Sequence, residues 1–421
     1  MTSSREIVIT AVGVVSPVGI GVEPFWQSLG HRRSGVRRLD LFDGSDLPPP
    51  LGADVVDFDP KQYVRPRKSL KVMSRDIQLG FVAADMACQQ AALVPGAVDP
   101  ERFGITFGAD MITCNLAELQ SAFAKCMVDG QFDFARWGNS AMSEMYPLWL
   151  LKYLPNMPAC HIGIAQDARG PNNSLTLGEV SSLAAVAEAV RVLQRGQADV
   201  MIAGGTSCRI HPTIWAYRRA YHFSERIDDP PAAVRPFDAD RDGMVYGEGS
   251  GALVLESRQH AEARGAPILA RIGAFAAGFE PQPSGRDPDG RAVRQTIGQV
   301  LEQADLRPDD IGYVNAHGLS TPLEDRLEAQ AIRDTLGDVP VTALKSYFGN
   351  LGAGGGAVEL IASVLAFEHG EVPPTLNYHQ PDPDCPVNVI RDEPMKLNRP
   401  AALVLNQSRI VQSMALLLQA P

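Results

Sequence analysis

Four polar residues in this chain follow strand-like segments at points where helical segments begin: Glu179, His317, Lys345 and Asn350. Polar side chains at the ends of neighbouring strands in α/β proteins meet in one crevice. A carboxylate, an imidazole, an ammonium and an amide in one crevice could supply a base and hydrogen-bond donors to a bound ligand. We therefore treat the four residues as one candidate site.

The segment around Glu179 has the pattern of a nucleophile elbow. A run of small and β-branched residues ends at Gly178, and the stretch 181–193, rich in Ala and Val, then predicts a helix. A sharp turn of this kind presents one side chain, and the helix N-terminus behind it favours negative charge. The presented residue is normally Ser or Cys, whereas here it is a carboxylate.

The composition restricts the class of protein. The chain has 421 residues, of which 45% are hydrophobic and 21% charged, and its net charge of −11 disfavours nucleic-acid binding. It has no N-terminal signal region and no apolar run of about 20 residues, so we expect a cytoplasmic protein without a membrane span. The six cysteines lack metal-binding spacing and are expected to be reduced; no metal or cofactor is predicted.

Strand-like and helical segments alternate along the whole chain, which predicts the α/β class with central sheets. The pattern restarts near residue 260, so we predict two pseudo-repeated halves, 1–257 with cap insertions and 258–421, forming one compact unit. Segments 30–80 and 110–160 lack the alternation and are interpreted as loops or caps. Strands are expected at 6–15, 103–108, 199–205, 251–256, 270–275, 311–317, 401–406 and 413–418.

A series of motifs in a fixed order resembles the elongating β-ketoacyl-acyl-carrier-protein synthases, which have the thiolase fold. The motifs run almost end to end: 8–19, 170–172, 203–205, 235–238, 241–243, 247–249, 315–318 with 320–322, and 345–346 with 349. The resemblance implies a layered αβαβα arrangement and a role in fatty-acid or polyketide biosynthesis. It also implies binding of acyl carrier protein through phosphopantetheine thioesters.

In that family an elbow Cys accepts the acyl chain, and two histidines support decarboxylation and condensation. Matched by position, the Cys is Glu179, the first His is His317, and the second His is Asn350. The lysine that braces the site is Lys345, and the helix carboxylate behind it is Glu359. Loss of the thiol removes the strong nucleophile, so we predict that condensation is absent.

Other positions of the family's substrate site are altered or only partly kept. Thr321 remains from the threonine pair that contacts pantetheine, and Met111 matches a position that lines the acyl channel. Ser408 and Arg409 begin a segment that replaces the family's glycine-rich loop, whose backbone helps to stabilise the oxyanion. The resemblance also implies a dimer, with the strand around 200–203 extending a sheet across the two-fold axis.

Three functions remain open. The first is a non-condensing partner subunit, similar to a chain-length factor, as a homodimer or in a heterodimer with an active ketosynthase; Glu179 would then pair with Arg409 and plug the pocket. The second is a residual enzyme that uses Glu179, His317 and Asn350 as malonyl decarboxylase, hydrolase or dehydratase. The third is an ordinary synthase whose nucleophile is Cys160 or Cys208.

Overall fold

The first half of the chain builds five strands of one large mixed sheet. The computed structural model describes residues 5–41, 50–94, 96–216, 222–281, 288–409 and 411–421. The five strands are β1 (Ile7–Ser16), β2 (Phe103–Ala109), β3 (Asn172–Leu175), β4 (Val200–Cys208) and β5 (Glu248–Ser257). They lie in the order β3-β2-β4-β5-β1, with β3, β2 and β4 parallel to one another.

The second half repeats this arrangement. Its strands are β6 (Ala270–Phe279), β7 (Tyr313–Asn315), β8 (Pro340–Thr342), β9 (Ala401–Gln407) and β10 (Gln412–Gln419). Their order is β8-β7-β9-β10-β6, which is the order of the first half when each set is counted from its own first strand. The two sets meet where the start of β1 pairs with the start of β6 in antiparallel register.

Eight helices have nine or more residues among the described residues. They are α1 (Val22–Gly30), α2 (Arg75–Gln90), α3 (Leu116–Lys125), α4 (Met157–Gln166), α5 (Ser181–Gln194), α6 (Arg291–Ala304), α7 (Pro322–Leu336) and α8 (Gly355–His369). Short helices occur at Pro60–Tyr63, Pro212–Ala216, Arg258–Ala263 and Lys345–Phe348, and two-residue strands at Gly19–Ile20, Arg37–Arg38, Leu51–Gly52, Met127–Val128, Gln131–Phe132, Glu371–Val372, Asn388–Val389 and Met395–Lys396. Within the described ranges, no helix combines the length and apolar character that crossing a membrane requires.

The two strand sets of the mixed sheet form two separate layers of the core, and helices form three further layers. Helices α5 and α8 form the central layer, and every residue of α8 from Gly355 to Ala366 is buried. Helices α2 and α4 pack on the outer face of the first strand set, while α6 and α7 pack on the outer face of the second. This is the layered arrangement that the resemblance implies, so the predicted fold class is confirmed.

Two details of the sequence-based interpretation are wrong. Helix α2 begins at Arg75, inside the segment 30–80 that was interpreted as loop or cap. Strand β4 cannot extend a sheet across a two-fold axis, because β5 and β2 already pair with its two sides. The edge strand of the first half is β3, where Asn172 and Asn173 are exposed.

Candidate active site

Glu179 lies in a single turn between strand β3 and helix α5. Gly178 has a positive φ of 62°, a conformation that favours glycine, and this sharpens the chain's entry into the helix. The Ser181 hydroxyl accepts from the N–H of Leu177 at 2.8 Å and donates to the carbonyl of Gly178 at 2.6 Å, which fixes the turn. The Glu179 side chain is 12% exposed, so its carboxylate is largely removed from water.

The counterion of Glu179 is Arg209, one residue beyond strand β4. Arg209 Nη1 lies 2.5 Å from Glu179 Oε1, and its Nε donates to Asp110 Oδ2 at 2.9 Å. Asp110 follows β2, so the carboxyl ends of parallel strands bring the two acids to one guanidinium. The prediction that Arg409 pairs with Glu179 is therefore wrong.

The ion pair determines the protonation of Glu179. Burial alone would raise the pKa of this carboxyl, but the charge and hydrogen bond of Arg209 outweigh it and lower the pKa below its usual value. Asn350 Nδ2 also donates to Glu179 Oε1 at 3.1 Å and favours the ionised form. Glu179 is thus a carboxylate at neutral pH, with one oxygen already held by two donors.

Close packing leaves no room for movement behind the pair. Gly352 has a φ of 53°, and a Cβ at this position would lie 2.2 Å from Asp110 Oδ2 and 2.4 Å from Arg209 Nε. The Arg209 guanidinium also lies 5.1 Å from the centroid of the Tyr246 ring, a cation–π contact. The guanidinium is therefore held by two acids, an aromatic face and a glycine backbone.

His317 is buried and uncharged. Burial lowers its pKa well below the ordinary value, and the positive charges of Lys345 and Arg209 lower it further. The backbone N–H groups of His317 and Gly318 donate to the two oxygens of Glu328 at 2.7 and 2.8 Å, which holds the loop in place. Among the described residues, His317 Nδ1 has no hydrogen-bond partner, and His317 forms no hydrogen bond with Glu179.

Lys345 and Glu359 form a buried ion pair behind the imidazole. Their side chains are 2% and 0% exposed, and Lys345 Nζ bonds directly to Glu359 Oε1. Asn406 Nδ2 donates to the second oxygen, Oε2, at 2.7 Å. The pair is positioned to bias His317 toward its neutral form rather than to contact a ligand.

Two cavities of about 400 Å³ each adjoin Glu179. One is lined by His317 and Thr321, and the other by Met111 together with Arg209. Ser408 and Arg409 line both cavities, as Glu179 itself does. The structure thus brings every predicted site residue to these cavities except Lys345, Glu359 and Asn350, which lie immediately behind their walls. Ile410, in the replaced loop, lies outside the described residues.

Neither cysteine proposed as a substitute nucleophile is suited to that role. Cys208 lines the cavity of Met111, but its sulfur lies 3.0 Å from Glu248 Oε2. Burial, followed by the charge of Glu248, raises its pKa well above the ordinary value, so it remains a thiol. Cys160 lies on helix α4 and lines neither cavity beside Glu179.

Sequence reasoning missed Arg209, Asp110 and Tyr246. A usable signal existed, because Asp110 and Arg209 are polar residues at the carboxyl ends of strands β2 and β4. The predicted strand 199–205 stopped short of the true end at Cys208, which hid the position of Arg209.

The layers and the strand-end site define a class of protein, the thiolase-like α/β fold. Two family models match the chain: "Beta-ketoacyl synthase, N-terminal domain" over residues 4–261 and "Beta-ketoacyl synthase, C-terminal domain" over residues 269–379. The chain therefore belongs to the β-ketoacyl synthase family.

Relatives come from both fatty-acid and polyketide systems. The chain is 34% identical over 393 residues to 3-oxoacyl-[acyl-carrier-protein] synthase 2 of Synechocystis, covering 92% of this chain and 91% of the relative. It is similar to the ishigamide ketosynthase/chain length factor, with a TM-score of 0.86, 26% identity and 100% of both chains covered. It is also similar to the complex of a type II polyketide acyl-carrier protein with its ketosynthase, AntDE:AntF, with a TM-score of 0.84, 27% identity and 100% of both chains covered.

Proposed function

We propose that this protein is a non-condensing ketosynthase-like subunit of fatty-acid or polyketide biosynthesis. It pairs with an active ketosynthase and holds the acyl chain of a carrier-protein thioester beside Glu179. The observation that carries this proposal is the buried cluster of Glu179, Arg209 and Asp110 at the elbow.

The cluster supports the absence of condensation on chemical grounds. A nucleophile must be free to attack the thioester carbon, whereas Glu179 Oε1 is occupied by Arg209 and Asn350. Acylation of Glu179 would also remove its negative charge, so that Arg209 would keep only Asp110 as a partner in a buried charge network. Cys208, which lines the cavity of Met111, is held as a thiol and therefore does not replace the missing nucleophile.

The surface of the single chain supports a partner subunit. Most of the large apolar side chains that are exposed among the described residues lie between Met111 and Ile164, and the exposure of Met111, Phe134 and Ile164 is 72%, 74% and 79%. The edge strand β3 lies in the same half of the fold. Many exposed apolar side chains and an unpaired strand edge in one half of a fold are features that protein interfaces often cover. Similarity to a ketosynthase/chain length factor supports a partner of the same fold, which in our proposal carries the cysteine that this chain lacks.

Co-expression with a cysteine-bearing ketosynthase from the neighbouring genes tests the proposal. We expect a stable heterodimer in native mass spectrometry, and condensation that requires the partner's cysteine but survives Glu179→Ala in this chain. Finding only homodimers after co-expression would contradict the partner assignment, and condensation by this chain alone would contradict the chemical assignment.

A residual decarboxylase is the second candidate. It is favoured by the cavity that Glu179 shares with His317 and Thr321, where a neutral imidazole could donate to an enolate oxygen. The ionised Glu179 opposes it, because it repels the carboxylate of a malonyl group. Release of CO₂ from malonyl-carrier protein above the Glu179→Ala background would favour this candidate over the first.

A further inference from the structure

A third cavity, of about 550 Å³, adjoins the cavity of Met111. The two cavities have Thr113 and Cys208 as common wall residues. A ligand that passes Glu179 on the Met111 side would therefore come close to this third space. The space lies between the N-terminus of α2, the end of β4 and the cap that contains Tyr153.

Most of the residues that line the third cavity are polar or charged, and several of the charged ones are paired with one another. Arg75 Nη2 lies 2.6 Å from Glu248 Oε1, and Lys152 is paired with Glu118. The Tyr153 hydroxyl donates to Glu118 Oε2 at 2.8 Å. Groups held in this way need no rearrangement before they hydrogen-bond to a ligand, which lowers the cost of binding.

Ser74 adds an unused hydrogen-bonding group. It stands at the N-cap of the 16-residue helix α2, yet its side chain makes no capping bond. Its side chain lines the cavity, the residue is 9% exposed, and its hydroxyl has no hydrogen-bond partner among the described residues. Buried hydroxyls of this kind are costly unless a ligand or water satisfies them.

We infer that the third cavity is a subsite for an acyl chain that carries hydroxyl or keto oxygens away from its thioester end. The inference rests on the proposed function, in which an acyl thioester is held beside Glu179. A saturated chain would displace water from polar walls without replacing the lost hydrogen bonds, whereas an oxygenated chain replaces them.

Binding of paired probes tests this inference. Octanoyl-, decanoyl- and dodecanoyl-pantetheine are each compared with the ω-hydroxylated form of equal length by calorimetry on the full chain. We expect at least one hydroxylated probe to bind about tenfold more tightly than its saturated counterpart. Ser74→Ala should reduce that preference about threefold to tenfold, and Gln78→Leu, on the same wall, should reduce it as well. Ser143→Ala, at an exposed serine outside the cavity, is the matched control and should leave it unchanged.

Equal or tighter binding of the saturated probe at every length would overturn the inference, and so would failure of both probe types to bind. A preference that Ser74→Ala and Gln78→Leu leave intact would place the oxygen elsewhere and would also overturn it. Heterodimer formation is measured separately by native mass spectrometry. If no heterodimer forms, the proposed function is refuted, but the probe affinities still decide whether the subsite exists. If the probes bind without a preference for the hydroxylated form, the subsite is refuted, but the partner assignment is unaffected.

Discussion

Replacing Arg209 with Met should destabilise the protein by leaving a buried acid without its counterion. The substitution keeps an unbranched side chain beside Tyr246 but removes the charge that Glu179 and Asp110 share. Both members of the Glu179–Arg209 pair are about 13% exposed or less, so water compensates little for the loss. Breaking one side of a buried ion pair costs about 3 to 5 kcal/mol, and we expect a loss in this range at pH 8.

The cost should depend on pH. In the native protein the pKa of Glu179 is lowered, so its contribution to stability is present above its unfolded value of 4.5 and is lost as the pH falls through the folded pKa. Without Arg209, burial dominates and the folded pKa rises above 4.5. Stability of the variant then falls as the pH rises, so the difference from the parent is smaller at pH 5 than at pH 8.

Urea unfolding of the parent, Arg209→Met, Glu179→Gln and the double variant measures the effect as a double-mutant cycle. Glu179→Gln in the Arg209→Met background should recover part of the lost stability, because an amide is cheaper to bury than a carboxylate. Arg169→Met is the matched control, since its pair with Asp167 is 63% and 42% exposed and should contribute little to stability. A loss below about 1 kcal/mol for Arg209→Met, or no recovery in the double variant, would refute the reasoning.

Three further substitutions test other parts of the site. Gly352→Ala should lower the melting temperature, because the added Cβ would clash with Asp110 and Arg209. The control Gly298→Ala, on helix α6 with open space around it, should be neutral or stabilising by about 1 kcal/mol. A calorimetric scan in which Gly352→Ala melts above Gly298→Ala would contradict the packing. Burial raises the pKa of Asp76 from 3.8 to about 7, so its contribution to folding stability is full below pH 3.8 and declines as the pH rises toward 7. Asp76→Asn should remove this decline, which amounts to up to about 4 kcal/mol, from the plot of unfolding free energy against pH. An unchanged slope in the variant would show that Asp76 is ionised in the folded protein. Lys345→Met should lower the free energy of unfolding by about 3 to 5 kcal/mol, because it leaves Glu359 buried without its partner. Combining it with Glu359→Gln should recover part of that loss. Additive losses of the two substitutions in urea unfolding would contradict a direct ion pair.

Periodicity and β-branched composition predicted most of the long strands and the α/β class, whereas the layered arrangement was implied by the family resemblance. Strand β1 is buried on both faces and reads as a continuous apolar run, and the strand expected at 401–406 is β9, Ala401–Gln407. Strand pairing was not accessible in the same way, because β3 and β4 are both compatible with an edge when only local pattern is considered. The edge position of β3 depends on which strand β2 pairs with across the sheet.

The turn that carries Glu179 could be predicted, whereas the strand ends indicate Arg209 only as one candidate among others for its counterion. The turn is a local feature, set by Gly178 and by the helix that follows it. The choice of Arg209 over Arg409 depends on side-chain reach across three strands and on the gap left by Gly352. Neither the side-chain reach nor the gap can be predicted from the local sequence.

The mass of the protein after exposure to acyl carrier substrates tests the central claim most directly. The full chain is incubated with acyl-carrier-protein thioesters of several chain lengths, alone and with its ketosynthase partner, and intact-mass and peptide measurements follow, with a cysteine-bearing ketosynthase as positive control. We predict no covalent acyl group on the peptide containing Glu179 while the control becomes acylated. An acyl group on that peptide, formed and then consumed on addition of malonyl-carrier protein, would contradict the account.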